Sequence, residues 1–398
     1  VFFGAFLHKC GAQKFFVDFP LAAVGHKVGG PGKVAVIASG LFGSISGSAI
    51  ANVVSTGAFT IPMMKKAGFK PHIAGGIEPA ASIGGMFMPP IMGAGGFIMA
   101  ELTGVPYSQI MLVAIFPALM YFFSVFVMVH YEAKKNNIVG ERTSFGAMEI
   151  FKKEWFYITP LVVITIFMLY GYSPGYSAIL GIVSCIVVSW FRKETRIGPM
   201  EFLEAARDGT ASSLKIGATV GVIGIIIGVL TFSGLILTFA DIVIELADGS
   251  LVLTILFIAL ASLVMGMGVP VTAAYLITAV VAVPALTHLG VNLIAAHMIV
   301  YWLSQDSNIT PPVCIAAFAG ATIAKANMWK TAFSAFKFAK FLYLGPFLFG
   351  YVPGFSLNGS TTDIVVAFVL ILFGTWAYSW LLSGIWMNYF RKAPSKQA

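Results

Sequence analysis

Residues 61–91, IPMMKKAGFKPHIAGGIEPAASIGGMFMPPI, and residues 283–313, VPALTHLGVNLIAAHMIVYWLSQDSNITPPV, are one phrase written twice, 222 positions apart and without a gap. Pro62 falls on Pro284, Gly68 on Gly290, Ser82 on Ser304, and Pro89-Pro90 on Pro311-Pro312. Moving outward, GSISGS (43–48) falls on MGMGVP (265–270) at the same offset. Four interruptions of apolar segments, matched in pairs, imply two related halves. Halves of this kind frame a substrate site near the bilayer midplane with discontinuous helices.

Composition places the chain in the membrane. Hydrophobic residues make up 58% and charged residues 10%, with a mean hydropathy of +0.91, against about 25% charged residues in soluble domains. The formal charge of +8 reads as Lys and Arg held on the cytoplasmic side, not as a nucleic-acid surface. Cys10, Cys185 and Cys314 have no CxxC spacing and read as small buried hydrophobes. No His pair has ligand spacing, so no metal centre and no cofactor is expected. The chain opens on Val1 inside what reads as a running helix, so an N-terminally incomplete protein is expected.

The fold class that follows is an all-α polytopic membrane protein made of inverted repeats, each with a broken transmembrane helix and a re-entrant helical hairpin. The first repeat is expected over 1–130, connecting scaffold helices over 131–215, the second repeat over 216–354, and a final span with a basic tail over 355–398. Segments 72–104 and 293–324 are each about 32 residues long, and one straight helix of that length would reach roughly 48 Å, beyond a hydrocarbon core of about 30 Å. They are therefore expected to be the hairpins, with tips at 82–90 and 304–312. The stretches around 43–48 and 265–270 would then be the broken helices. Continuous spans are expected at 109–130, 155–171, 176–191, 216–240, 332–352 and 363–390, and a polar stretch up to Lys33. The basic loops 131–153 and 192–215 and the tail with Arg391, Lys392 and Lys396 mark the cytoplasmic face. The loop 241–250 carries Asp241, Glu245 and Asp248 on the other. Lys65, Lys66 and Lys70 violate this arrangement.

Unwound backbone survives in a membrane only when buried in protein or lining a wet cavity, and its carbonyls suit Na⁺, a hard cation. Expected Na⁺ ligands in the first half are Ser46, Gly47, Ser48 and Asn52 facing Ser82 and Gly84. In the second half they are Gly266, Gly268 and Thr272 facing Ser304, Asp306 and Thr310. Substrate contacts are expected from Gly85, Met86, Pro89 and Pro90, and from Ser307, Asn308, Pro311 and Pro312. Asp306 is the most telling ionisable group: an intramembrane carboxylate is normally functional or paired, although Asp also suits a helix N-cap. Glu78 is a further candidate for the substrate path, and Glu101 reads as solvated. With no Lys or Arg at either tip, an anionic substrate would be held by helix N-termini near Pro90 and Pro312, which favours a small carboxylate.

The phrases FGSISGSAIANVVSTGAFTIPMMKKAGF (42–69), MGMGVPVTAAYLI (265–277) and SNITPPVCIAAFAGATIAKANMWKT (307–331) together resemble the large membrane subunit of tripartite ATP-independent periplasmic (TRAP) transporters. They are most similar to the TAXI branch, whose permeases are often fused to a small membrane subunit. The resemblance covers about Val1 to Gly354. It implies a non-enzymatic, Na⁺-coupled elevator importer of small organic acids in the inner membrane of a bacterium or archaeon. It also implies a periplasmic binding protein and a small membrane subunit, fused or separate, as partners. Na⁺ ligands are then expected around Ser46-Gly47-Ser48 with the first tip, and around Gly266-Met267-Gly268 with Thr310-Pro311-Pro312. A carboxylate importer without a binding protein, and a polytopic membrane enzyme, remain as alternatives. The span 363–390 has no role in the resemblance.

Overall fold

The computed structural model describes residues 2–142, 145–267 and 269–386. The basic tail and Gly268 lie outside them. The chain begins with α1 (Phe2–Lys9), α2 (Ala12–Val24), α3 (Gly30–Ser46), α4 (Ala49–Lys66), α5 (Pro71–Phe87), α6 (Gly93–Thr103) and α7 (Tyr107–Lys135). Then come α8 (Ala147–Glu154), α9 (Thr159–Leu169), α10 (Pro174–Ser189), α11 (Pro199–Phe232) and α12 (Leu235–Leu246). The last third holds α13 (Leu251–Met265), α14 (Val271–His288), α15 (Leu293–Leu303), α16 (Ile315–Ala324), α17 (Met328–Phe338), α18 (Phe341–Tyr351) and α19 (Thr361–Ser383). Among the described residues five helical stretches are long and apolar enough to cross a membrane: α7, α11, α14, α17–α18 together, and α19.

Local chemistry sets many of these boundaries. Ser48 caps α4 by accepting from Ala51 N at 3.3 Å, and Asn292 caps α15 by accepting from Ile294 N at 3.0 Å. Proline fills the first turns of α5, α10 and α11, where its missing N–H costs nothing. The expected span 216–240 begins earlier, at Pro199, because the Glu201 carboxylate accepts from Gly198 N at 3.0 Å. The boundary drawn at 215/216 therefore falls inside α11. The expected polar stretch before Lys33 contains α2, which buries Phe15, Phe16 and Pro20 despite Lys14 and Asp18.

The 222-residue offset reappears in the backbone. It carries the start and end of α4 onto those of α14, and the starts of α5 and α6 onto those of α15 and α16. It carries the cis Pro89-Pro90 bond onto the cis Pro311-Pro312 bond, and left-handed Met92 (φ 56°) onto Cys314 (φ 51°).

The hairpins, however, are not where sequence length placed them. Arms α3 and α4 fold back on each other: Asn52 Nδ2 donates to Ser39 O at 2.9 Å, and Ser39 Oγ meets Thr56 Oγ1 at 3.1 Å. Their turn is Gly47-Ser48. Arms α5 and α6 touch little. At the start of α5, Gly68 faces Ile138, just beyond the end of α7. In α6, Gly96 and Phe97 pack on Tyr107 at the start of α7. Since α7 has 29 residues, about 43 Å, the segment 71–103 runs from one end of the bundle to the other. It is the broken crossing, and 30–66 is the hairpin. By the same register α13 and α14, which pack together, form the second hairpin, and α15–α16 the second broken crossing. The length argument failed because a turn between two helices lets 33 residues cross at an angle that one straight rod could not.

The two crossings lie antiparallel. Gly75 of α5 faces Gly320 and Ala324 of α16, while Gly95 of α6 faces the Tyr301 ring of α15. At the base of the first hairpin Lys65 Nζ donates to Ala324 O at 2.7 Å, and Lys66 lies 4.0 Å from Glu141. At the base of the second, Leu251 meets Gly350, at the opposite end of α17–α18. Lys65, Lys66 and Lys70 thus share an end with Lys134 and Lys135, and the conflict in the charge pattern disappears once hairpin and crossing are exchanged.

Candidate functional site

Each hairpin turn rests on the break of the crossing that follows it. A methyl group on Gly47 (φ 64°) would lie 3.2 Å from the Cα of Gly93, and one on Gly266 would lie 2.5 Å from Ser307 Cβ and Oγ. Ser46, Gly47 and Ser48 are therefore brought to the Met88–Gly93 turn, and Gly266 to the Ser304–Cys314 segment. Gly268 lies outside the described residues.

The expected first tip, 82–90, is shorter in the structure. Ser82, Gly84, Gly85 and Met86 remain helical in α5, because the helix is packed on all sides. A methyl group on Gly85 would lie 2.4 Å from Gly43 Cα, and one on Gly84 would lie 2.7 Å from the rings of Tyr121 and Phe122. Only Met88–Met92, with Pro89 and Pro90, is non-helical. Tyr107 Oη reaches Pro90 O and Ile91 O, both at 2.7 Å, and Tyr301 Oη reaches Met86 O at 2.9 Å and Met92 O at 2.6 Å. These hydroxyls serve carbonyls that the helix end leaves open.

The second break is longer. After Leu303 the chain makes a 3-10 turn over Asp306–Asn308 and reaches α16 only at Ile315. Ser304 Oγ donates to Tyr301 O at 2.7 Å, Asn308 Nδ2 to Gln305 O at 3.3 Å, and Thr310 Oγ1 lies 2.5 Å from Tyr343 Oη. Ser304, Gln305, Asp306, Ser307 and Asn308 are all buried. At this break both polar atoms of Gln305 and Asp306 Oδ1 have no hydrogen-bond partner in the protein, nor has the Ser262 hydroxyl of α13. Buried polar atoms are seldom left so. The orphan set is mainly oxygen, which suits a hard cation such as Na⁺. Asp306 is not an α-helix cap here; its backbone carbonyl accepts from Ile309 N and Thr310 N.

The ends of α5 and α15 meet through packed aromatic rings, Phe87 stacking on Trp302 at 4.4 Å. A cavity of about 690 Å³ lies where the two hairpin turns come together. Ser46, Gly47, Ser48 and Ser55 line it from one hairpin, Pro270 and Thr272 from the other, His8 from α1, and Asp208 and Ser212 from α11. Pro89 and Pro90 line a separate apolar cavity of about 460 Å³ with Phe122 and Phe126.

Sequence reading passed over His8, Ser55, Asp208, Ser212 and Gln305. Asp208 and Ser212 stand four apart on one helix, a face signal hidden because that stretch read as a loop. Gln305 sits inside the flagged run SQDSN.

The family described as "Tripartite ATP-independent periplasmic transporter, DctM component" matches residues 1–355. A putative TRAP transporter large permease protein of Haemophilus influenzae is 27% identical over 316 residues, covering 78% of this chain and 73% of its own. The 2,3-diketo-L-gulonate TRAP transporter large permease protein YiaN of Escherichia coli is 32% identical over 117 residues, 29% of this chain and 27% of its own. The sialic acid TRAP transporter permease protein SiaT of H. influenzae is 28% identical over 191 residues, covering 47% of this chain and 31% of its own. With the family match running through residues 1–355, which contain both hairpin-and-crossing pairs, the chain belongs to the TRAP transporter large permease (DctM) family.

Proposed function

We propose that this chain is the large permease subunit of a Na⁺-coupled importer of a small organic acid. The observation that carries the reading is the cavity shared by the two hairpin turns; unpartnered buried oxygens at the second break, on which Gly266 packs, support a cation site there. In this reading each hairpin turn and its facing break hold a cation: Ser46–Ser48 and Asn52 with Met88–Gly93, and Gly266–Thr272 with Ser304–Thr310. The substrate carboxylate occupies the cavity, facing the hydroxyls of Ser48, Ser55, Ser212 and Thr272.

The hairpin bases lie at opposite ends of the bundle, which supports an inverted repeat. The exchange of access is assigned to an elevator movement of the two hairpins and crossings against α7 to α11 and α17 to α19. The end bearing Lys65, Lys66, Lys134 and Lys135 is taken as cytoplasmic, and the membrane as a bacterial or archaeal inner membrane. A periplasmic binding protein of the TAXI type delivers the substrate, and a small membrane subunit completes the complex. YiaN is named for 2,3-diketo-L-gulonate and SiaT for sialic acid, both acids, which supports the substrate class.

The test is uptake into proteoliposomes holding this chain, the small subunit and the binding protein, under an imposed Na⁺ gradient, against dicarboxylates, amino acids and keto acids. Uptake of one acid that collapses when K⁺ replaces Na⁺ is expected. Uptake indifferent to Na⁺ overturns the coupling, and uptake unchanged without the binding protein overturns that partner.

A further inference from the structure

Glu78 is the most deeply enclosed carboxyl among the described residues, and the transport reading does not use it. It projects from α5 between both arms of the first hairpin and is 0% exposed. Ser39 Oγ and Thr56 Oγ1 each donate to Oε1 at 2.5 Å, and Thr60 Oγ1 donates to Oε2. Gly57 leaves space for its stem, a methyl group there lying 3.0 Å from Glu78 Cγ.

The charges on every neighbouring element point elsewhere. Lys33 of α3 lies 3.1 Å from His130 Nδ1 of α7, and Lys65 and Lys66 of α4 engage Ala324 O and Glu141. Lys337 of α17 pairs with Glu132 of α7 at 3.0 Å, and Lys330 is exposed. Tyr121 of α7 donates to Ala80 O; α16 carries no titratable residue, Glu101 of α6 is exposed, and His72 lies at the far start of α5. A carboxylate taken out of water without a cation is strongly disfavoured and takes up a proton instead.

A metal ion does not fit the same cage. An ion held by oxygens needs them at about 2.3–2.6 Å from itself, whereas these oxygens already touch one another at hydrogen-bond distance. A proton fits. With Glu78 protonated on Oε2, its O–H donates to Thr60 Oγ1, and Thr60 turns its own hydrogen to Thr56 O at 3.1 Å. Ser39 and Thr56 go on donating to Oε1, so no hydrogen is left without an acceptor.

We propose that Glu78, with Ser39, Thr56 and Thr60, is a proton-binding site that fastens α5 to both arms of the first hairpin. Thr56 Oγ1 also lies 3.2 Å from Asn52 Oδ1, so the site is one side chain removed from the hairpin turn. Proton loading is therefore felt along the hairpin arms.

The experiment is infrared spectroscopy of the purified chain in detergent, scanned from about pH 5 to about pH 9, where a free Glu is ionised. The difference between the parent and Glu78→Gln is expected to show the C=O stretch of a protonated carboxylic acid throughout neutral pH. Carboxylate bands in its place overturn the proposal. Glu78→Gln, isosteric with the neutral acid, is expected to keep the parent melting temperature, and a collapse of folding specific to Gln counts against a neutral carboxyl. Should Glu78→Gln not be obtained folded, Thr60→Val is read instead: loss of one partner shifts the acid band, and an unshifted band overturns the assignment. None of these readouts needs transport, so the proton site and the Na⁺-coupled reading fail separately.

Discussion

Gly43 and Gly85 hold α3 and α5 in backbone contact, and no side chain larger than hydrogen fits there. Gly85→Ala places a methyl group 2.4 Å from Gly43 Cα. Overpacking of that kind costs about 1–3 kcal/mol, so a lower melting temperature in detergent is expected; an unchanged one would mean the helices are not in contact. Tyr301→Phe removes the hydroxyl whose one hydrogen is shared between Met86 O at the end of α5 and Met92 O in the first break, a loss of about 0.5–1.5 kcal/mol. Faster amide exchange over 88–94 than in the parent should report it. Asp306→Asn removes the one carboxylate at the second break while keeping its shape. Na⁺-driven uptake is expected to weaken and lose its steep Na⁺ dependence, with the folded yield unchanged. Retained Na⁺ dependence would remove Asp306 from coupling. The residues that govern the breaks were legible from the doubled phrase, since Pro-Pro pairs recur there in register, whereas single Pro62, Pro79 and Pro284 stay inside helices. Partners such as Tyr107 and Tyr301 were not, because a tyrosine in an apolar run carries no sign of what its hydroxyl will reach.

At the scale of elements, interruption was readable and direction was not. A turn flanked by two helices reads the same in sequence whether the second helix folds back or runs onward. Gly47-Ser48 folds back because hydroxyl and amide groups recur across the arms: Ser39 meets Thr56, and Asn52 reaches Ser39 O. The Pro89-Pro90 turn runs onward because α5 is bound to α3, α4, α16 and α17, leaving no face for α6. That difference is testable with Asn52→Leu, which deletes both polar links from that side chain. Removing bonds that leave Ser39 O and Thr56 less served costs about 1–3 kcal/mol. Hydrogen exchange should quicken in α3 and α4 and stay at the parent rate in α5, whereas uniform acceleration would deny the hairpin its independence.

Across the whole molecule, the basic residues Lys65, Lys66, Lys134 and Lys135 share one end once the elements are placed. Single cysteines at Glu141 and Asp248 are expected to react with impermeant maleimide from opposite sides of the membrane; labelling from one side would overturn the assignment of α3–α4 and α13–α14 as hairpins from opposite ends. The native Cys10, Cys185 and Cys314 are buried and should stay unmodified until the protein is unfolded, which makes such labelling clean.

The 222-residue register also sets Tyr301 against Pro79. The second half extends a phenol into the turn of the first, and the position that would return the gesture holds a ring without a donor. The tie between the halves at this register position is therefore made by one phenol alone, and it acts in both directions: a shift of α15 bears on the Met88–Met92 bend, and a shift of the bend bears on α15. Two halves alike in outline share a single rivet here where symmetry would have supplied two.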